Sequence, residues 1–275
     1  MNKLNWMINR HVLSALCAAP LLLCSVYALA EEAAPAVAAV AAPAEPAPPY
    51  TLSFNLGLYS NYMFRGVNLS DGPAVQGGID YAHSSGLYAG TWFSTIDPQA
   101  SAGNHQEVDL YAGYAHTFDN GFGVNFMGNY YWYPDSYKIG YPHTYDTFEA
   151  SAGVSYKFLT YTYYNILTKY YGASNSKNAE YHELKAAYKL PVGDLNLLAK
   201  VGYTNLRNLS GDQGDFTIGL NRDFSLPGIG KPIEGFNAGA YYTDTFSVDD
   251  QSYYVSADGR DTNSKMLTFY IKRTW

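Results

Sequence analysis

Three groups of residues have the types and spacing for chemistry. His83-Ser84-Ser85 sets an imidazole and a hydroxyl two residues apart, so an extended chain turns both to one face, where the ring could take the Ser85 proton as the oxygen attacks an ester. Such a pair needs a third group to orient the imidazole, and no Asn stands where a neighbouring strand would supply one. Ser85-Gly86 is also ordinary turn chemistry. His105, Glu107 and Asp109 alternate in the same way, and imidazole with two carboxylates suits a divalent ion. His105 stands at a loop boundary, however, where such groups are usually solvated. The third group is Arg65, Asp80, Glu107, Asp109, Glu149, Lys157, Lys185 and Lys200, whose charges fall on the polar phase of alternating segments and so become candidates for the lining of a pore. Gly230-Lys231 is followed by Pro232, and Ser225 stands where a phosphate loop needs its first Gly, so that motif is absent. The expectation is no catalytic residue, no cofactor and no metal.

These residues sit on segments with a period of two. Leu52, Phe54, Leu56 and Leu58 alternate with Ser53, Asn55, Gly57 and Tyr59, and Val75, Gly77, Ile79 and Tyr81 alternate with Gln76, Gly78 and Asp80. Runs of roughly ten such residues recur to Trp275, which is the per-segment pattern of a membrane barrel. Long polar connectors alternate with tight ones such as Ser84-Ser85-Gly86 and Asp119-Asn120-Gly121, as expected when loops at one end are long and turns at the other short. The segment Ser225–Gly235 breaks this alternation by its length. The fold class is all-β, a transmembrane antiparallel β-barrel of about twelve strands over residues 50–275. On the continued phase of the first strand, Arg65 points inward near its outer end.

Residues 1–30 read as a signal peptide: Lys3 and Arg10 are basic, Val12 to Val26 is mostly apolar, and Ala28-Leu29-Ala30 suits cleavage after Ala30. The apolar run is shorter than the roughly 20 residues of a spanning helix. Both cysteines, Cys17 and Cys24, fall in this leader, so the mature chain has no disulfide and no thiol chemistry. Residues 31–49 reduce to Ala, Pro, Glu and Val and read as an extended periplasmic leader. Removing Lys3 and Arg10 takes the net charge from −7 to −9, which argues against nucleic acid as a partner. The 28 Tyr suit the two water–lipid interfaces of a barrel.

Phe64-Arg65-Gly66, the PAVQGGIDY of Pro73–Tyr81 and the H-x-SG-x-Y-x-G of His83–Gly90 resemble the signature of the TorF-like family, catalogued as porins and as bacterial conserved-hypothetical outer-membrane proteins of Gcw_chp type. The resemblance covers Tyr50 to Trp275. It implies a bacterial outer-membrane barrel whose solute is largely undefined, and it singles out Arg65. The aromatic C-terminal strand ending in Trp275 is similar to the signal by which the barrel-assembly machinery recognises its clients, although Arg273 interrupts it. The His83/Ser85 pair is similar to that of outer-membrane phospholipases, but it falls at a short-turn position.

The expected function is passive passage of small polar solutes through an outer membrane. Two alternatives stay open: a plugged structural or adhesive barrel acting through Pro134–Thr144 and Ser247–Ser264, and a lipid hydrolase using His83 and Ser85. A lumen of about twelve strands lies between the filled interiors of small barrels and the open channels of 16 to 18 strands, so the inward charges could equally pair and close it.

Overall fold

The computed structural model describes residues 48–136 and 144–275. The expected signal peptide, most of the Ala/Pro leader and part of the Pro134–Thr144 loop lie outside the described residues. The period-two segments form twelve long strands: β1 (Tyr50–Tyr59), β4 (Ala74–His83), β5 (Leu87–Thr95), β6 (Gln106–Thr117), β7 (Phe122–Trp132), β8 (Thr147–Tyr156), β9 (Leu159–Ile166), β10 (Glu180–Lys189), β11 (Leu195–Asn205), β12 (Gln213–Leu226), β13 (Ile233–Phe246) and β14 (Met266–Thr274). Each pairs antiparallel with its neighbours in the chain, and β1 pairs with β14, so the sheet closes into a barrel without a free edge. Two further strands, β2 (Met63–Phe64) and β3 (Val67–Asn68), form a separate two-stranded hairpin in the connector between β1 and β4.

The alternation has the expected consequence. Leu52, Phe54, Leu56 and Leu58 of β1 are exposed on the outside of the wall, as are Phe126 of β7 and Leu267, Phe269 and Ile271 of β14. An apolar band covering a closed wall is stable only against lipid or another apolar partner. The residues between them turn inward, where buried Gln76, Asp109, Asn129, Glu149, Asp215 and Thr268 make a polar interior.

Connections at one end are short (residues 84–86, 118–121, 157–158 and 190–194) and those at the other mostly long (60–73, 96–105, 133–146, 167–179 and 247–265). The suspect segment Ser225–Gly235 is strand at both ends, over residues 225–226 and 233–235. β12 and β13 run on past their neighbours, a register shift between Phe224 and Leu226 bends the ribbon, and only residues 227–232 connect them. A short 3-10 helix (Gln251–Tyr254) in the last long loop, capped by the Asp250 side chain, carries no period-two pattern and was not expected from the sequence.

Candidate functional site

The connector between β1 and β4 does not extend outward. It folds into the mouth of the barrel at the long-loop end as the β2–β3 hairpin, and Tyr62, Met63, Phe64 and Arg65 are all buried. Aromatic contacts hold it there: Tyr62 meets Trp92 edge-on with ring centroids 5.3 Å apart, and Phe64 meets Tyr131 at 6.0 Å and Tyr171 at 6.3 Å. The turn at its tip is Arg65-Gly66, with φ of 48° and 82°. Gly66 is required twice over, because a Cβ there would stand 2.6 Å from Thr245 Cγ2 and 2.9 Å from Asp215 Cβ in addition to the left-handed φ. Two positive φ values in succession are the geometry of a tight hairpin turn, whose first position favours Asn, Asp or Gly. An Arg there is costly for the backbone.

Its side chain gives the reason. Arg65 Nη2 donates to Glu149 Oε1 at 2.9 Å, while Nη1 stands 2.9 Å from Oε2 at ion-pair distance but out of hydrogen-bond alignment. The guanidinium lies over three rings, 4.8 Å from Phe64, 4.7 Å from Tyr164 and 4.3 Å from Tyr181. Tyr131 also donates to Glu149 Oε1 at 3.0 Å, and Tyr181 donates to Asp215 Oδ2 at 3.0 Å. Arg65 is 6% and Glu149 1% exposed, so the pair lies away from bulk water.

The remaining candidates divide between this chamber and other places. Glu107 and Asp109 on β6 join it, as Tyr62 OH reaches Glu107 Oε1 at 3.4 Å and Asn129 Nδ2 reaches Asp109 Oδ2 at 3.3 Å. Neither carboxylate makes an ion pair among the described residues. Lys200 lies 3.4 Å from Asp215 and 3.8 Å from Glu183. Lys185 is half-buried directly opposite Lys200 in the β10–β11 register. Asp80, nearer the short-turn end, accepts from Asn55 Nδ2 at 3.3 Å and from Tyr111 OH. Acids thus reach the interior from β4, β6, β8, β10 and β12, and lysines from β10, β11 and, as Lys272, β14.

Two placements differ from the sequence expectation. Arg65 is not an extension of β1, which stops at Tyr59; it reaches the lumen on the hairpin. Lys157 is not on the inward phase of β8, because that strand ends at Tyr156 and Lys157 occupies the tight β8–β9 turn with φ of 56°. It is exposed, with its ammonium 5.2 Å from the centre of the Tyr156 ring.

The other groups weighed in the sequence do not assemble into sites. His83 Nδ1 is 2.8 Å from Ser85 Oγ, but the same nitrogen accepts the Ser85 backbone N–H at 3.1 Å, which is the local closure of the β4–β5 turn. His105 is 72% exposed and faces Asp135 at 3.5 Å, whereas Glu107 and Asp109 are buried inside. Among the described residues no group of three ligands could hold a metal.

The lumen is filled at the level of the hairpin. Fully buried inward side chains come from all round the wall, among them Tyr59 on β1, Gln76 on β4, Asn129 on β7, Tyr164 on β9, Thr204 on β11 and Thr243 on β13. Several are polar without partners: Glu107 Oε2, Asp109 Oδ1, Asn129 Oδ1 and both side-chain atoms of Gln76. Above them, Arg260 in the last loop forms ion pairs with Asp71, Asp97 and Asp258, which ties three long connectors together. The sequence did not single out Arg260 or Asp215; long-range pairing across a lumen has no periodic signature.

A closed antiparallel barrel, apolar outside and polar inside, with a connector folded into one mouth, has the architecture of a porin. The chain belongs to the Gcw_chp family, bacterial proteins of unknown function, whose model matches residues 43–275. No curated protein matches the sequence. Among solved structures, the fold is similar to the KdgM porin at a TM-score of 0.50, with 7% identity over 81% of this chain and 98% of that one. The NanC porin is similar at 0.46, with 11% identity over 82% and 98%.

Proposed function

We propose that the protein is a gated channel of the bacterial outer membrane that passes small polar solutes when the β2–β3 hairpin leaves the mouth. The supporting observation is the partly satisfied polar chamber under the hairpin. A permanently dry interior favours apolar groups or fully paired charges, because an unpartnered buried polar atom costs about 1–3 kcal/mol and an unpaired charge more. Glu107, Asp109, Asn129 and Gln76 each leave at least one atom unpartnered in the closed form. Water and solute would satisfy them once the hairpin moved. On this reading Asp80, Glu107, Asp109, Glu149, Lys185 and Lys200 line the path, Arg65 closes it and Lys157 lies outside it.

The outer-membrane reading also carries the expected signal peptide, cleaved after Ala30, and assembly through the strand ending at Trp275. The long loops then face outward and the short turns the periplasm. The narrower likeness to TorF-like porins belongs to the same reading. A plugged adhesive barrel is the second reading, favoured by the Arg260 clamp over the long-loop end.

Single-channel recording across a salt gradient tests the two. The native barrel is expected to open briefly, and Arg65→Ala to stay open longer with selectivity moved toward cations. Silence from both barrels, once shown folded by heat-shifted gel mobility, would overturn the channel and leave the plugged barrel.

A further inference from the structure

The seat of Arg65 has the chemistry of a ligand site. Three aromatic rings lie within 5 Å of its guanidinium carbon and one carboxylate stands at ion-pair distance. Aromatic faces with a desolvated carboxylate are how proteins bind organic cations. Two of the rings, Tyr164 and Tyr181, come from adjacent strands of the wall, and room for the second is made at Gly202, where a Cβ would collide with the Tyr181 ring. The cage is thus built mainly into the barrel, and the hairpin contributes Phe64 and the cation.

Two acids of the chamber also stand outside its ion pairs. Glu107 and Asp109 are fully buried, each keeps one oxygen without a hydrogen bond, and neither makes an ion pair among the described residues, although the charge of Arg65 reaches Asp109. The cation arrives on a backbone conformation that disfavours a side chain, since Arg65 has φ of 48°.

We propose that Arg65 is a tethered stand-in for the solute: the cage of Tyr164, Tyr181 and Glu149 is a binding site for small guanidinium or alkylammonium compounds, and such a solute opens the channel by taking the Arg65 seat. This deepens the channel reading and rests on it for passage, whereas binding at the cage can be measured without it. Glu149 supplies the carboxylate, the two Tyr supply π faces, and Glu107 and Asp109 attract a second positive group, as on a diamine or an amino-guanidine.

The experiment is calorimetric titration of the full-length folded barrel in detergent with agmatine, which carries a guanidinium and an amine, against glutamate and sucrose. Arg65→Ala empties the cage and is expected to bind agmatine at least tenfold more tightly than the native protein, with neither control binding. Glu149→Gln added to Arg65→Ala is expected to abolish that binding. If Arg65→Ala does not fold, Arg65→Lys takes its place, since it keeps a cation but gives up the planar guanidinium, and it too should bind more tightly than the native chain. Overturning results are a folded variant that binds agmatine no better than the native protein, one that takes glutamate equally, or binding that survives loss of the Glu149 charge. Conductance of the same preparations separates the two claims: agmatine binding by a silent barrel keeps the cage and removes the channel, and a conducting barrel that ignores agmatine does the reverse.

Discussion

Arg65 and Glu149, 84 positions apart in the chain, meet at 2.9 Å inside the barrel, one at the turn of an inserted hairpin and the other on the wall. The contact joins the inserted hairpin to the wall, so it sets both how firmly the mouth is closed and what the interior costs to keep closed. Breaking one partner of a buried ion pair costs about 3–5 kcal/mol, because the survivor is left charged and unpaired.

Glu149→Ala should therefore be more disruptive than its size suggests. We expect a loss of about 3–5 kcal/mol in urea unfolding of the membrane-embedded barrel, with Arg65→Ala/Glu149→Ala losing clearly less than the sum of the single changes. Additive losses in the double-mutant cycle would show that the pair is not coupled.

Gly66→Ala tests the seating of the hairpin without touching a charge. The left-handed φ costs about 1–2 kcal/mol for Ala, and the added carbon collides with Thr245 and Asp215. The barrel wall should still close, as shown by gel mobility, while channel open times lengthen. Unchanged gating with intact folding would place the gate elsewhere.

The clamp around Arg260 gives a pH dependence. Hydrogen bonding from Ser256, and then from Arg260, holds the Asp258 carboxyl below the usual Asp range, and the bonds to Asp258 and Asp97 push Arg260 up. A carboxylate depressed in the folded state contributes stability above its unfolded pKa and loses it as pH falls through the lower folded value. The loop clamp should thus be intact at neutral pH and loosen only in acid, below about pH 4. A spin label at Ser264→Cys should become more mobile in that range, and at neutral pH in Arg260→Ala. A label equally mobile at both pH values would remove the clamp.

The outward face of β1 reads the surroundings of the wall. Leu56→Arg places a charge in the apolar band and should cost about 2–4 kcal/mol in bilayers, whereas Ser53→Arg, on the inward phase of the same strand, should cost little. Equal costs at both positions would contradict a lipid-facing band.

The barrel was legible in the sequence because its signal is local: Leu52, Phe54, Leu56 and Leu58 carry the outside, and Asp119-Asn120-Gly121 carries a turn, each within a few residues. Inward placement of Asp80, Glu107, Asp109, Glu149, Lys185 and Lys200 followed from the same period. Arg65 did not, because β2 and β3 are two residues each and no period exists at that length; continuing the β1 phase across Ser60-Asn61-Tyr62 put it on the wall. Lys157 was misplaced by one residue at a strand end, where a turn with positive φ takes over. The chamber itself depends on partners such as Arg65 and Glu149 that only closure of the barrel brings together.

The hairpin is joined at both ends to adjoining strands of the wall and shares no ladder with them. Its return to the mouth is therefore an intramolecular event, governed by an effective concentration set by the short connecting segments, in the millimolar range for flexible tethers. A free competitor must reach a comparable abundance, scaled by its relative affinity, before it holds the mouth open. The length of residues 60–73 is thus a threshold as well as a connection: lengthening either arm would lower the dose at which the barrel responds, and shortening it would raise that dose.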